Sequence, residues 1–181
     1  MSRMEKVATY FATYGAENTK HVIAAVLRKV EEENVETVVV ASTSGATGVE
    51  FAKALQGKGK VVAVSYEAMK PELKNQIEKL GAVALEKTHL PLHEKGMDDI
   101  RNTLYTLGQG FKVAVEVILI AADKAAITLY EDVIGVGGTG EGADTAILAR
   151  ATPTKEMFSK DEKKKLEVRE IIAMPHKKKW W

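Results

Sequence analysis

Between positions 38 and 65 the chain reads strand, helix, strand, and that order constrains everything around it. Val38, Val39, Val40 and Ala41 make a short, β-branched, non-alternating apolar run, the pattern of a strand buried on both faces. Val49, Phe51, Ala52 and Leu55 then recur at helical spacing, and after Gly57, Lys58 and Gly59 residues 60–65 read as a second strand. So short a unit implies two parallel strands joined by a right-handed crossover. The loops after both strands then lie at one edge of a sheet.

The rest of the chain continues the alternation. Residues 7–13 read as a short strand and 15–19 as a turn. A helix follows, with Val22, Ile23, Val26, Leu27 and Val30 on one stripe, Asn18 or Thr19 as its cap and an end near Glu33. Pro71 opens a helix that buries Leu73, Ile77 and Leu80 and stops at Gly81; residues 82–85 form a further strand. Ile100, Leu104 and Leu107 mark a helix from Asp98, broken at Gly108, Gln109 and Gly110. The next helix, 111–126, is apolar nearly all round, which predicts burial in the core or contact with another subunit, and hence a homo-oligomer. Residues 132–136 and 145–149 read as strands flanking a glycine-rich loop, 159–165 as charged surface, and 168–173 as an edge strand before Pro175. The predicted fold is α/β: a three-layer α/β/α sandwich with a mostly parallel central sheet and an antiparallel edge hairpin. With 181 residues and 45% apolar composition, one domain spans 1–181, and residues 175–181 are expected to fray.

Chemistry concentrates in the loop after the first central strand: Ser42, Thr43, Ser44, Gly45, Ala46, Thr47. The first amides of a helix have no partner within it, and the helix dipole places positive charge there, so a phosphate is stabilised at this position. Gly45 permits a tight turn, and Ser42, Thr43, Ser44 and Thr47 can donate hydroxyl hydrogen bonds. No lysine follows, so this is not a Walker A loop. The alternative is ordinary helix capping by one of the hydroxyls. Asn18 and Thr19 either cap their helix or, if it starts on the same rim, face the ligand. Tyr66, after the next strand, either stacks on a ligand ring or covers the sheet edge. Gly137, Gly138, Thr139 and Gly140 resemble a dinucleotide fingerprint, yet no helix follows. What survives is a hairpin that admits a ligand close to backbone, or a permissive turn.

Lys and Arg number 26 against 25 Asp and Glu, so no basic field points to nucleic acid, and the expected partner is a small molecule. The absence of cysteine excludes thiolate chemistry and disulfides. The start of the chain carries no signal-peptide core, and a cytoplasmic address is expected. The most apolar segment, 113–122, is interrupted by Glu116 and too short to cross a membrane. Glu116 needs a partner: either it meets a ligand or carries a proton, or it is paired elsewhere in the protein. His89 and His93 are four apart, but Pro91 between them argues against a helical metal pair, and no metal site is expected.

Residues 38–47 followed by Val61, Val62, Ala63 and Val64 resemble the start of the C-terminal domain of pyruvate kinase, and residues 132–148 resemble that domain's closing hairpin. The resemblance implies phosphate contacts from Ser42, Thr43, Ser44 and Thr47, with Gly137, Gly138, Thr139 and Gly140 from the second loop. It does not imply pyruvate kinase activity, because 181 residues cannot also hold that enzyme's (β/α)8 barrel. The loop also resembles the Thr-x-Thr-Gly-x-Thr phosphate loop of flavodoxins. That resemblance implies flavin mononucleotide (FMN) as the ligand, since a cation-free site suits a phosphate monoester. The expected function is binding of a phosphorylated small ligand, FMN foremost. The alternatives are an enzyme acting on a small phosphorylated metabolite with Glu116 or His89 as acid/base, or an assembly module working through the 111–126 helix.

Overall fold

The computed structural model describes residues 3–181, and the apolar runs become seven strands of one sheet. In chain order the elements are β1 (Thr9–Phe11), α1 (Thr19–Glu33), β2 (Thr37–Ala41), α2 (Ala46–Ala54), β3 (Lys60–Val64), α3 (Pro71–Lys79), β4 (Val83–Leu85), α4 (Asp98–Tyr105), α5 (Gln109–Asp123), β5 (Asp132–Gly137), β6 (Thr145–Arg150) and β7 (Val168–Pro175). The sheet order is β1-β7-β6-β5-β2-β3-β4. Every neighbouring pair is parallel except those made by β6, which runs against both β5 and β7.

Side-chain alternation along β2 distributes the helices. Val38 and Val40 pack with Val22 and Val26 of α1 and with Phe51 and Leu55, whereas Val39 packs with Ile118 and other residues of α5. Ile77 of α3 joins Val49 and Ala63 on the α1/α2 side, and Ile100 and Leu104 of α4 lie on the α5 side. The result is three layers, α1–α3 above the sheet and α4–α5 below it, as expected for strands apolar on both faces.

Helix α5 is buried along nearly its whole length, with Ile118 and Leu119 fully inaccessible. Each such side chain contributes roughly 1.5–3 kcal/mol. It lies on the sheet and is covered outside by α4, the turn at Pro91–His93 and the turn at Thr154–Glu156. Its apolar circumference is therefore covered by elements of its own chain. The close packing depends on Gly137: a Cβ there would stand 2.1 Å from the Gly110 carbonyl oxygen, at the start of α5.

Several expectations change. The antiparallel hairpin is not at an edge: β6 is third from the β1 side, and its residues are buried throughout. Nor is β7 an edge, because β1 pairs with it. Asn18 makes no capping bond; it closes a 3₁₀ turn, Ala16–Asn18, and its side-chain amide donates to the Thr13 carbonyl at 2.9 Å. Within the segment 175–181, expected to fray, several residues make contacts with the body of the protein. The His176 amide donates to the Phe11 carbonyl at 2.7 Å, the Lys179 carbonyl accepts from the Gln109 amide at 2.8 Å, and Trp181 packs edge-on against Tyr105 at 5.7 Å. Among the described residues no helix is long and apolar enough to cross a membrane.

Candidate functional site

From β2 the chain steps to β3 and β4 in one direction, while β5 lies on β2's other side. This is a switch point of the parallel sheet, where open α/β sheets form a crevice beyond the strand ends. Val40 is in register with Val136, so the loop leaving β2 stands beside the loop leaving β5. The starts of α1 and α5 share this rim: the Thr19 hydroxyl receives the Ala143 amide at 3.0 Å, and Gly110 abuts Gly137.

In the β2–α2 loop, hydroxyls and carbonyls divide the work. The buried Ser42 hydroxyl accepts the Gly48 amide at 2.9 Å, and the Ser44 hydroxyl accepts the Ala46 amide at 3.3 Å. The carbonyls turn inward, that of Ser42 accepting from the Gly45 amide (3.2 Å) and that of Ser44 from the Lys70 amide (3.0 Å). The Thr43 carbonyl accepts from the Ser65 hydroxyl at 3.1 Å. Gly45 holds the left-handed turn at φ 99°, where a Cβ would also strike Leu73. Left without an acceptor among the described residues are the amides of Thr43, Ser44 and Thr47. Thr43 and Ser44 are exposed, Thr47 is buried, and residues 42–47 carry no charged side chain. Ser42 thus satisfies one of the first amides of α2, while the amides of Thr43, Ser44 and Thr47 are left without a partner in the described protein.

The neighbouring Ser65–Lys70 segment is held by Glu86, which accepts the Met69 amide at 2.9 Å and the Lys74 ammonium at 2.7 Å. The Lys74 hydrogen bond and then the Met69 amide hold the Glu86 carboxyl below its ordinary range. Tyr66, in the same segment, is exposed on the rim.

In the second loop the glycines mainly serve packing. Gly137 is closed in by α5, and a Cβ on Gly138 would stand 2.2 Å from the Gly142 carbonyl oxygen. Thr139 is buried, and Gly140 alone faces open space. What fixes this loop is Asp144, a fully buried carboxylate that sequence reasoning did not single out. It accepts the Thr139 amide (3.1 Å), the Gly15 amide (3.2 Å) and the Thr145 hydroxyl (2.8 Å), tying the loop to the entry of α1. An acidic residue beside glycines reads as a solvated turn, so only its position under the loop reveals the role. Thr19 acts with it, its hydroxyl donating to the Ala16 carbonyl at 2.6 Å while receiving Ala143. Asn18 and Thr19 build the rim and point their polar atoms into it.

Glu116 has its partner inside the protein. Its carboxylate takes the Lys112 ammonium at 2.7 Å and the Leu92 amide at 3.1 Å, and the Lys112 ammonium also lies 2.9 Å from His93 Nε2. The i,i+4 spacing of Lys112 and Glu116 is the signal that was visible in the sequence. Burial, and then the Lys112 charge, push His93 below its ordinary value, so the neutral ring accepts from the ammonium. His89 pairs with Asp123 at 2.9 Å, roughly two turns further along α5. Both acid/base candidates are therefore engaged in internal contacts. Among the described residues no three His, Asp or Glu side chains converge as a metal site would require.

Two clefts lie elsewhere. One of about 500 Å³ opens at the opposite edge of the sheet, lined by Glu33, Glu36, Glu131 and Asp132 among others, and one of about 340 Å³ lies between α1 and β7. Neither includes a residue of the 42–47 loop.

No protein-family model matches the chain. Among solved structures, that of O-ureido-L-serine synthase aligns with 61% of this chain and 40% of its own, at 20% identity and a TM-score of 0.33. The chain thus spans less than half of that structure's length.

Proposed function

We propose that this protein binds a small phosphorylated ligand, FMN foremost, with the phosphate seated on residues 42–47. One observation carries the reading: the amides of Thr43, Ser44 and Thr47, at the start of a nine-residue helix and beside the switch point, have no acceptor within the described protein. A phosphate monoester presents several oxygens to such a set, and the α2 dipole favours its charge. The fit is chemical as well as geometric. A loop with neither cation nor carboxylate suits a monoester held by donor hydrogen bonds, and the inward-turned carbonyls remove the groups that would repel it. Tyr66 on the same rim is the exposed aromatic group nearest in sequence for a flavin ring. The resemblance to the pyruvate kinase C-terminal domain belongs to the same reading, since its effector phosphate falls on the corresponding loop.

The test separates ligand from cap. FMN is titrated into wild type and into the Thr43→Val/Ser44→Ala double variant, and binding is followed by flavin fluorescence. The expected result is at least about tenfold weaker binding by the variant, the loss of one to two charge-assisted hydrogen bonds, with no change in its unfolding midpoint beyond the small one that Ser44→Ala alone causes by freeing the Ala46 amide. Ser42→Ala should instead lower stability by about 0.5–2 kcal/mol, as loss of a helix cap does. Equal FMN affinity in wild type and the double variant would overturn the proposal.

A further inference from the structure

Four residues apart on α5, Lys112 and Glu116 stand one above the other, with side chains only 5% and 4% exposed, and both grip the short turn Pro91–His93. Glu116 Oε1 accepts the Leu92 amide at 3.1 Å, and the Lys112 ammonium lies 2.7 Å from Glu116 Oε2 and 2.9 Å from His93 Nε2. From the other side Arg101 of α4 donates to the Leu92 carbonyl at 3.1 Å. The Leu92 side chain is fully buried in the core that contains Ile118 and Leu119. Because the turn leads into α4, its seat on α5 also places Met97, Ile100 and Leu104, which pack against the same core.

Hydrogen-bond chemistry limits the charge this arrangement tolerates. An ammonium has donors and no acceptor, so at 2.9 Å His93 Nε2 must offer its lone pair. The ring is then neutral, with its proton on Nδ1. A second proton sets N–H against N–H, and the contact cannot persist. The Glu116 carboxylate does not restore it, because Oε2 is 3.9 Å from Nε2 and already holds Lys112, while Oε1 holds Leu92. The other charges that face the ring are Asp98 and Arg101 of α4, which are paired with each other. Lys112 and Glu116 are fixed on a buried helix, whereas the His93 side chain is 40% exposed on a three-residue turn. The ring is therefore the member that moves, outward into water.

We infer that His93 is a pH-operated latch: its neutral ring fastens the turn 91–93 to Lys112 on α5, and protonation frees the ring and opens that turn locally while the sheet stays folded. Water entering where the ring stood competes with the Leu92 amide for Glu116, so loss of a side-chain contact loosens the backbone beside it. Burial, and then the Lys112 charge, hold the ring below its ordinary value, so the open turn takes up the proton before the closed one. The latch is accordingly shut above about pH 6.5 and loosens as pH falls below it. Nothing in this inference depends on phosphate binding at residues 42–47.

The experiment is nuclear magnetic resonance on the full chain. Imidazole nitrogen shifts at about pH 7.5 report the tautomer of His93, and hydrogen exchange of the Leu92 amide, corrected for the intrinsic effect of pH, reports the turn. The neutral ring should be the Nδ1–H tautomer. From about pH 7.5 to about pH 5.5 the protection of Leu92 should fall by about three- to tenfold, tenfold being the most that one group with an open-state value near 6.5 gives. Low concentrations of urea should not hasten this exchange, because a local opening exposes little surface, whereas the Leu119 amide in the middle of α5 should exchange only on global unfolding. In His93→Gln the side-chain carbonyl still accepts from Lys112 and does not titrate, so Leu92 protection should stay constant over the same range. An Nε2–H tautomer overturns the inference, as does a Leu92 amide that follows Leu119 at every urea concentration, or an equal fall in protection in wild type and His93→Gln. A ring that titrates with no change at Leu92 also overturns it, since the side chain would then rotate out alone. The wild-type measurements decide the question even if His93→Gln does not fold.

Discussion

The hydroxyl of Ser42 accepts the Gly48 amide at 2.9 Å, while its neighbour Thr43 has its carbonyl tied to Ser65 and its side chain in water. Residue type alone does not separate the two, because both are good caps and good donors. Depth below the surface does. The same holds at Glu116, whose partner Lys112 was legible from the spacing, and at Asp144, whose burial under the glycine loop was not. Burial and Lys112 hold the folded-state value of His93 below the ordinary 6.5, with Glu116, Asp98 and Arg101 also facing it, so the unfolded chain takes up the proton first. Stability must then fall as pH drops below about 6.5, until the folded ring titrates too. Urea unfolding at about pH 7.5 and about pH 5.5 should show a smaller loss for His93→Gln than for wild type. Equal losses would show that the ring is not held neutral.

At the scale of the element, α5 shows how one sequence pattern admits two packings. An all-round apolar helix is buried by its own chain or by another, and periodicity does not choose between them. Here α4 and the turns at Pro91–His93 and Thr154–Glu156 cover the outer face, and Gly137 sets the inner contact. Gly137→Ala places a Cβ against backbone, which cannot rotate away, and should cost at least about 2 kcal/mol. Gly140→Ala meets open space at φ +84°, so only the left-handed backbone opposes it, at about 1 kcal/mol. Urea unfolding of the two variants measures the difference. Comparable losses would mean that α5 and β5 are further apart than the geometry has them.

For the whole molecule, strand order is what creates the rim. With β5 beside β2, the loops carrying residues 42–47 and 138–144 and the starts of α1, α2 and α5 meet at one edge. Residues 176–181 are drawn over that edge by the Lys179–Gln109 bond. A ligand bound there touches several elements at once and should stabilise the fold as a unit. FMN at about 100 times its dissociation constant adds about 2.7 kcal/mol. For a chain of this length that raises the calorimetric unfolding midpoint by about 5–11 °C. An unchanged midpoint would contradict binding to the folded state.

The α/β class, the central strand–helix–strand unit and the hydroxyl loop at its turn could all be read from the chain before folding. Each of these is set by neighbours within a few residues, through periodicity, turn chemistry and β-branching. Only the packing of distant segments placed the hairpin inside the sheet and set Thr19 and Asp144 to brace the rim. Those outcomes depend on contacts between residues far apart in the chain, where the partner, and not the residue's own preference, fixes whether a polar group is a cap, a brace or a donor left facing solvent.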